Sequence, residues 1–254
     1  MTAIANQLLS QVLRLQVRLL ACRERLAAQT DPEALHDLRI ALRQLRSLLR
    51  PLVDLPCCAA LQQRAAALGR LSGPLRDLEV LAGELQRRGW PAAAAVRAAQ
   101  LAPGYRQLLA SPALDELLQA LDNWPGQWHQ AAACGQLRGL NRAIRRRLHK
   151  DRQRLLQALQ DPAHDRHRQR LLIKRLRYGA EQYPRQAQLG TELSGWLKQA
   201  QSVLGDWHDH WQWLLRADSE PDLAPYRLSW QQAMALEARR ADRLLEKLVE
   251  KLSN

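Results

Sequence analysis

Two basic ladders stand about half a chain length apart. The first is His36, Arg39, Arg43 and Arg46; the second is His167, Arg170, Lys174 and Arg177. Both follow the spacing H-x-x-R-x-x-x-[RK]-x-x-R. At roughly 100° per residue, the four positions fall within an arc of about 80° on an α-helix and form a stripe roughly 15 Å long. The chemistry on offer is anion binding. A guanidinium fork can meet phosphate oxygens in pairs, and a stripe suits a long, repeating polyanion better than a compact substrate.

A second pair of motifs follows the ladders: Gly73-x-x-Arg76-Asp77 and Gly205-x-x-His208-Asp209. The ladders are 131 residues apart and the glycines and aspartates 132. Matching offsets in two independent motifs point to a duplicated helical bundle. Asp77 and Asp209 repel a polyanion; pairing with ladder arginines would let them, with Arg76 and His208, hold those side chains in place. Helix capping or an ordinary ion pair is the competing reading. A third basic cluster comprises Arg142, Arg145, Arg146, Arg147, Lys150, Arg152 and Arg154. It reads either as a solvated face or, through Arg138, Arg142, Arg145 and Arg146 with Lys150 at helical spacing, as an extension of the track. His164-Asp165-Arg166-His167-Arg168 would add to the second ladder.

The elements that must position these groups are helices. Leu, Ala, Gln, Arg and Glu dominate the 254 residues, Phe is absent and β-branched residues are scarce. Helices are predicted at 3–29, 33–53, 57–71, 74–88, 91–108, 111–123, 136–160, 162–183, 188–204, 206–217 and 222–250. Asp31-Pro32 and Asp161-Pro162 read as helix starts, and Gly73-Pro74 and Gly89-Trp90-Pro91 as breaks. The fold class is all-α: two pseudo-symmetric antiparallel bundles, repeats at about 1–126 and 127–254, with a seam at Trp124-Pro125-Gly126-Gln127. Leu35, Leu38, Leu42, Leu45, Leu49 and Leu52 make an apolar stripe on the first ladder helix. Leu172, Leu176, Ala180 and Tyr183 repeat it on the second. Each ladder therefore flanks a core-facing edge, where it lines a groove, and the two together would make one continuous track. Trp196, Trp207, Trp211, Trp213 and Trp230 read as core.

The formal net charge is +13, and only five of the 38 basic residues are lysine. That balance implies an acidic partner: nucleic acid, polyphosphate or an anionic surface. A GC-rich genome also favours arginine, but it does not explain where the arginines fall. Cys22, Cys57, Cys58 and Cys134 lack zinc or CxxC spacing and read as free thiols of a reducing cytoplasm. No signal peptide, membrane span or cofactor motif is expected.

These segments resemble the CHAD (conserved histidine α-helical domain) family. The likeness rests on His36-Asp37-Leu38-Arg39-Ile40-Ala41-Leu42-Arg43-Gln44-Leu45-Arg46 and Leu75-Arg76-Asp77-Leu78-Glu79-Val80-Leu81. In the second half it rests on Lys174-Arg175-Leu176-Arg177-Tyr178-Gly179-Ala180-Glu181 and Val203-Leu204-Gly205-Asp206-Trp207-His208-Asp209. It implies an all-α fold of two pseudo-symmetric bundles that binds inorganic polyphosphate on a basic surface near their junction, with association with polyphosphate granules; a bacterial, cytoplasmic, non-enzymatic protein is expected. There is no E-x-E-x-K signature of a fused triphosphate-tunnel domain. Gln44 stands at a position usually basic, and His208 where the second half of the family commonly has Asn. His36 and His167 as phosphate donors would make binding tighten below about pH 6.5, the ordinary histidine value.

Two rivals remain at this point. Non-specific nucleic-acid binding shares the electrostatics, but no helix-turn-helix or RNA-module signature accompanies it. A metal-dependent phosphohydrolase is suggested by His36-Asp37 and His208-Asp209-His210. However, neighbouring residues on a helix point about 100° apart, and arginines would repel a metal.

Overall fold

The computed structural model describes every residue except Pro162, His164 and Asn254. Pro162 of the expected Asp-capped start and His164 of the basic segment therefore lie outside the described residues. The fold is all-α, with no strand among the described residues. It divides into two compact units, Met1–Ile144 and Arg145–Asn254.

The first unit is built from α1 (Ala3–Ala28), α2 (Ala34–Leu49), α3 (Pro56–Leu71), α4 (Gly73–Arg87), α5 (Pro91–Ala98), α6 (Leu101–Leu109) and α7 (Pro112–Ala133). In α1, Ala5, Leu8, Val12, Leu15, Leu19, Cys22 and Leu26 alternate steps of three and four and are all buried. This stripe packs on α2, where Leu35, Leu38, Leu42, Leu45 and Leu49 are buried. α2 also packs on α3, and α3 on α7. Burial of five leucines contributes about 1.5–3 kcal/mol each, which fixes how far α2 can rotate about its axis.

The second unit contains most of α8 (Leu140–Gln160), then α9 (Arg166–Gln182), the single turn α10 (Pro184–Ala187), α11 (Thr191–Ser219) and α12 (Arg227–Ser253). α11 and α12 run antiparallel, since Lys251 near the end of one is 2.7 Å from Glu192 at the start of the other. Leu172, Ile173 and Leu176 of α9 join Leu197, Leu204, Leu245 and Leu248 in one core cluster.

Several boundaries differ from the expected ones, each for a physical reason. The expected seam lies inside α7, which continues through Pro125. The proline forfeits one backbone hydrogen bond, but Trp124 and Trp128 stack at 4.8 Å on the buried face, and Trp128 Nε1 donates to the Ala5 carbonyl at 3.2 Å. The expected break at Gly205 is absent and α11 is continuous. A lone glycine costs only about 1 kcal/mol in a helix, whereas Gly73-Pro74 also removes a donor and does separate α3 from α4. The expected 91–108 helix is split between α5 and α6. The expected 136–160 helix begins at Leu140, because Gly135 and Gly139 have φ of +71° and +75°. The second ladder helix begins at Arg166, where the Asp165 carboxylate caps it by accepting from the Arg168 N–H at 2.7 Å.

Gly179 of α9 faces Leu148 of α8. A Cβ there would lie 2.9 Å from Leu148 Cδ2. Gly179→Leu should therefore cost about 1–3 kcal/mol by overpacking, read from the midpoint of denaturant unfolding. An unchanged midpoint would mean that the two helices can part without penalty.

Candidate functional site

Packing decides which way the first ladder faces. With the leucine stripe of α2 buried, His36, Arg39 and Arg43 are half-buried on its flank and Arg46 is exposed. Arg39 reaches the C-terminal end of α3, where its Nη1 donates to the Gly69 carbonyl at 2.9 Å and to Ser72 Oγ at 3.0 Å. That end of a helix presents unsatisfied carbonyls and partial negative charge, so a cation is well placed there. Burial pushes the Arg39 guanidinium down, Asp77 opposes this, and Arg76 and Arg43 add to it. Asp77 thus acts on a ladder arginine through its charge. Arg76 of α4 is held by Glu79, Nη1 to Oε2 at 2.8 Å, and Tyr105 of α6 donates to the other oxygen of that carboxylate. His36 is pushed below its ordinary value by burial, then by Arg76 and Arg43. Glu79, Tyr105 and Ser72 were absent from the sequence-derived set. Glu79 could have been found as an i, i+3 partner of Arg76; nothing local marks Tyr105 or Ser72.

Asp37, the neighbour of His36, faces elsewhere. Its carboxylate accepts from Arg18 at 3.2 Å and from Arg25 at 2.9 Å, both on α1, and these arginines hold it low. It fastens α1 to α2. Among the described residues, no group of three or more His, Cys, Asp or Glu side chains could hold a metal ion.

In the second ladder, Arg170, Lys174 and Arg177 are half-buried and His167 is exposed. The facing element is α11. Arg177 donates to Gln201 at 2.9 Å, pairs with Glu181 at 2.6 Å and lies over the Tyr178 ring at 5.2 Å. His208 is the meeting point of this cluster. Its ring is 5.2 Å from that of His167 and 5.5 Å from Trp211. Burial, then Arg170, His167 and Lys174, push it down to about 4. Asp209 is half-buried next to it, while His210 points into the core, where Nδ1 contacts Glu237 at 2.9 Å and the ring meets Trp213 edge-on. His208 and His210 thus serve different environments.

The third basic cluster divides. Arg142, Arg145, Arg146 and Lys150 are exposed, across the helix from the buried Ile144, Leu148, Asp151 and Leu155. Arg138 precedes α8, in the turn between Gly135 and Gly139, so it does not share a helix face with them. Arg152 donates to the Leu252 carbonyl at 2.9 Å. Arg147 and Arg154 instead join Arg168 and Arg175 of α9: burial, Arg168, Arg147 and Arg154 push Arg175 down, and the buried Asp151 opposes them. α9 therefore carries basic groups on two faces, the ladder toward α11 and a second set toward α8.

The tryptophans divide as well. Trp213 and Trp230 are core, at 6% and 0% exposure, with Trp124 and Trp128. Trp196 is half-buried beneath Lys247. Trp211 is 37% exposed and Trp207 half-buried, their rings nearly parallel with centroids 6.4 Å apart. These two are not core. The register of α11 turns Leu197, Leu204, Trp213 and Leu214 inward and carries positions 207 and 211 to the edge.

Folding holds His208 neutral, at about 4 against about 6.5 in an unfolded chain. The unfolded state then binds one more proton between these values, so stability is full above pH 6.5 and declines as pH falls toward 4. His208→Asn should flatten this decline in Tm between pH 6.5 and 4. A variant as pH-sensitive as the parent in that window would show that another group is responsible.

Comparison with curated proteins returns no significant match. The crystal structure of the CHAD domain from the plant Ricinus communis is similar in fold, with a TM-score of 0.72 and 23% identity over 99% of this chain and 92% of that one. The CHAD domain family model matches residues 11–218, which include both ladders, Arg76-Asp77 and His208-Asp209. Most of the chain, and every ladder position, falls within that match, and the protein belongs to the CHAD domain family.

Proposed function

We propose that this protein binds inorganic polyphosphate on its two His/Arg/Lys ladders without catalysing its hydrolysis, in the cytoplasm and on polyphosphate granules. The ladders are read as products of an internal duplication within one CHAD domain. The observation that carries the reading is like-charge crowding. His36 is pushed down by burial and then by Arg76 and Arg43, and His208 by burial and then by Arg170, His167 and Lys174. Cations set this close raise each other's energy, and a chain of phosphates offsets that cost while accepting charge-assisted hydrogen bonds.

The crowding also moves the expected pH dependence. An imidazole already pushed down does not gain its proton near 6.5 in the free protein. A bound polyanion favours the imidazolium, so affinity should climb as pH falls from neutrality and keep climbing toward 4, where free His208 protonates. No helix among the described residues is long and apolar enough to cross a membrane.

Binding of long-chain polyphosphate at two salt concentrations tests this, using Arg43→Ala/Lys174→Ala; Arg39 is kept because it also anchors α3. Four phosphate contacts at the single-strand slope imply a loss of about 50-fold between ~50 and ~200 mM salt. Removing two charges should weaken binding by at least about tenfold and flatten that slope by about 1.4. Unchanged affinity with intact helicity would sink the assignment, as would equal displacement by RNA at equal phosphate concentration. Phosphate released from polyphosphate, with or without a divalent metal, would overturn the non-catalytic reading.

A further inference from the structure

We infer that the second unit also takes a nucleoside polyphosphate: its base lies against Trp207 and Trp211, and its phosphates run along His167, Arg170 and Lys174. The phosphate end rests on the polyphosphate reading; the base end stands on the tryptophan pair and the groove it borders.

Trp207 and Trp211 are one helical turn apart on α11, and their rings are within 6° of parallel. Trp211 leaves 37% of its surface in water. An indole left that exposed forfeits part of the burial that a tryptophan normally contributes. The pair lies outside the core, unlike Trp213 and Trp230. Parallel, accessible indoles form a stacking surface for a flat ring, and stacking contributes about 1–3 kcal/mol per base.

The pair borders a groove of about 930 Å³, within the range that holds small organic ligands. Its apolar lining comes from Leu159, Leu245 and Val249. Its polar lining is Asp161, Asp165, Arg166, His167 and Gln169, with Asp242 and Glu246 of α12. Asp242 is fixed by Arg166, whose Nη2 lies 2.8 Å from both carboxylate oxygens. Such oxygens accept hydrogen bonds from ribose hydroxyls and exocyclic amines, but they repel phosphate. A ligand must therefore be polarised, neutral and aromatic at one end and anionic at the other. Inorganic polyphosphate is anionic throughout, so it meets the groove only at its ladder edge, where His167 is the one ladder residue in the lining.

His208 connects the two ends. Its ring lies 5.5 Å from Trp211 and 6.5 Å from Trp207 on one side, and 5.2 Å from His167 on the other. Arg170 and Lys174 are close enough to act on it electrostatically. A base on the tryptophans thus has its phosphates directed at His167, whose ring is 6.5 Å from that of Trp211, and from there at the rest of the ladder.

Calorimetric titration with magnesium-free ATP and with inorganic tripolyphosphate, which carry equal numbers of phosphates, tests the inference. ATP should bind about 5- to 100-fold more tightly, as expected of one stacked base. Trp211→Ala should abolish that preference, and Lys174→Ala should weaken both ligands. Equal affinities in the parent protein would overturn this inference while leaving the polyphosphate reading intact. If neither ATP, tripolyphosphate nor long-chain polyphosphate binds, both readings fall. If single-stranded RNA binds more tightly per phosphate than ATP and depends on Trp211, the groove belongs to a strand, and the mononucleotide assignment is wrong.

Discussion

A cation drawn partly out of water must be met by acceptors or give up its charge, and this constraint organises both units. Guanidinium groups do not give up a proton at any ordinary pH, so they are met. Arg39 finds the Gly69 carbonyl and Ser72, Arg76 finds Glu79, and Arg177 finds Gln201 and Glu181. Imidazoles can give up the proton, and His36 and His208 are pushed in that direction by burial and by the arginines around them. What results is a set of cations whose positions are fixed before any ligand arrives. Preorganisation of this kind would spare the proposed polyanion part of the cost of ordering long side chains.

The ladder helices do more than display charge. α2 uses its apolar stripe to pack, Asp37 to fasten α1, and its basic flank toward the end of α3 and the start of α4. α9 divides its basic residues between α11 and α8. The same spacing of residues is anchored differently in the two units. In the first, Arg39 ties to the break where α3 gives way to α4. In the second, α11 passes unbroken through Gly205, and the ladder meets continuous helix. Backbone acceptors are available only where a helix ends, so Arg177 relies on side-chain acceptors instead.

The all-α class, the ladder faces and the leucine stripe of α2 were legible in the sequence because each depends on helical periodicity alone. Leu35, Leu38, Leu42, Leu45 and Leu49 are as buried as their spacing requires. The expected break at Gly205 and the seam at Pro125 fail for a common reason. Tertiary packing outweighs a local penalty of one or a few kcal/mol when a long apolar face is buried by remaining helical. Gly135 and Gly139 do interrupt the chain, since a positive φ cannot be accommodated within a helix turn. Trp207 and Trp211 read as core because Trp is a large apolar residue, yet the register of α11 that turns Leu197, Leu204, Trp213 and Leu214 inward carries them to the edge.

What the sequence determined by itself was which residues share a helix face, since that follows from 3.6 residues per turn. Tertiary structure alone decided what each face meets: that Arg39 ends on Gly69, thirty residues away, that Glu79 and Tyr105 hold Arg76, and that His208 lies among His167, Arg170 and Lys174. It also decided that His36 and His208 are pushed toward the neutral form. The protonation of an imidazole depends on its burial and on the cations within a few ångströms, and those neighbours come from other helices, where no sequence spacing reaches.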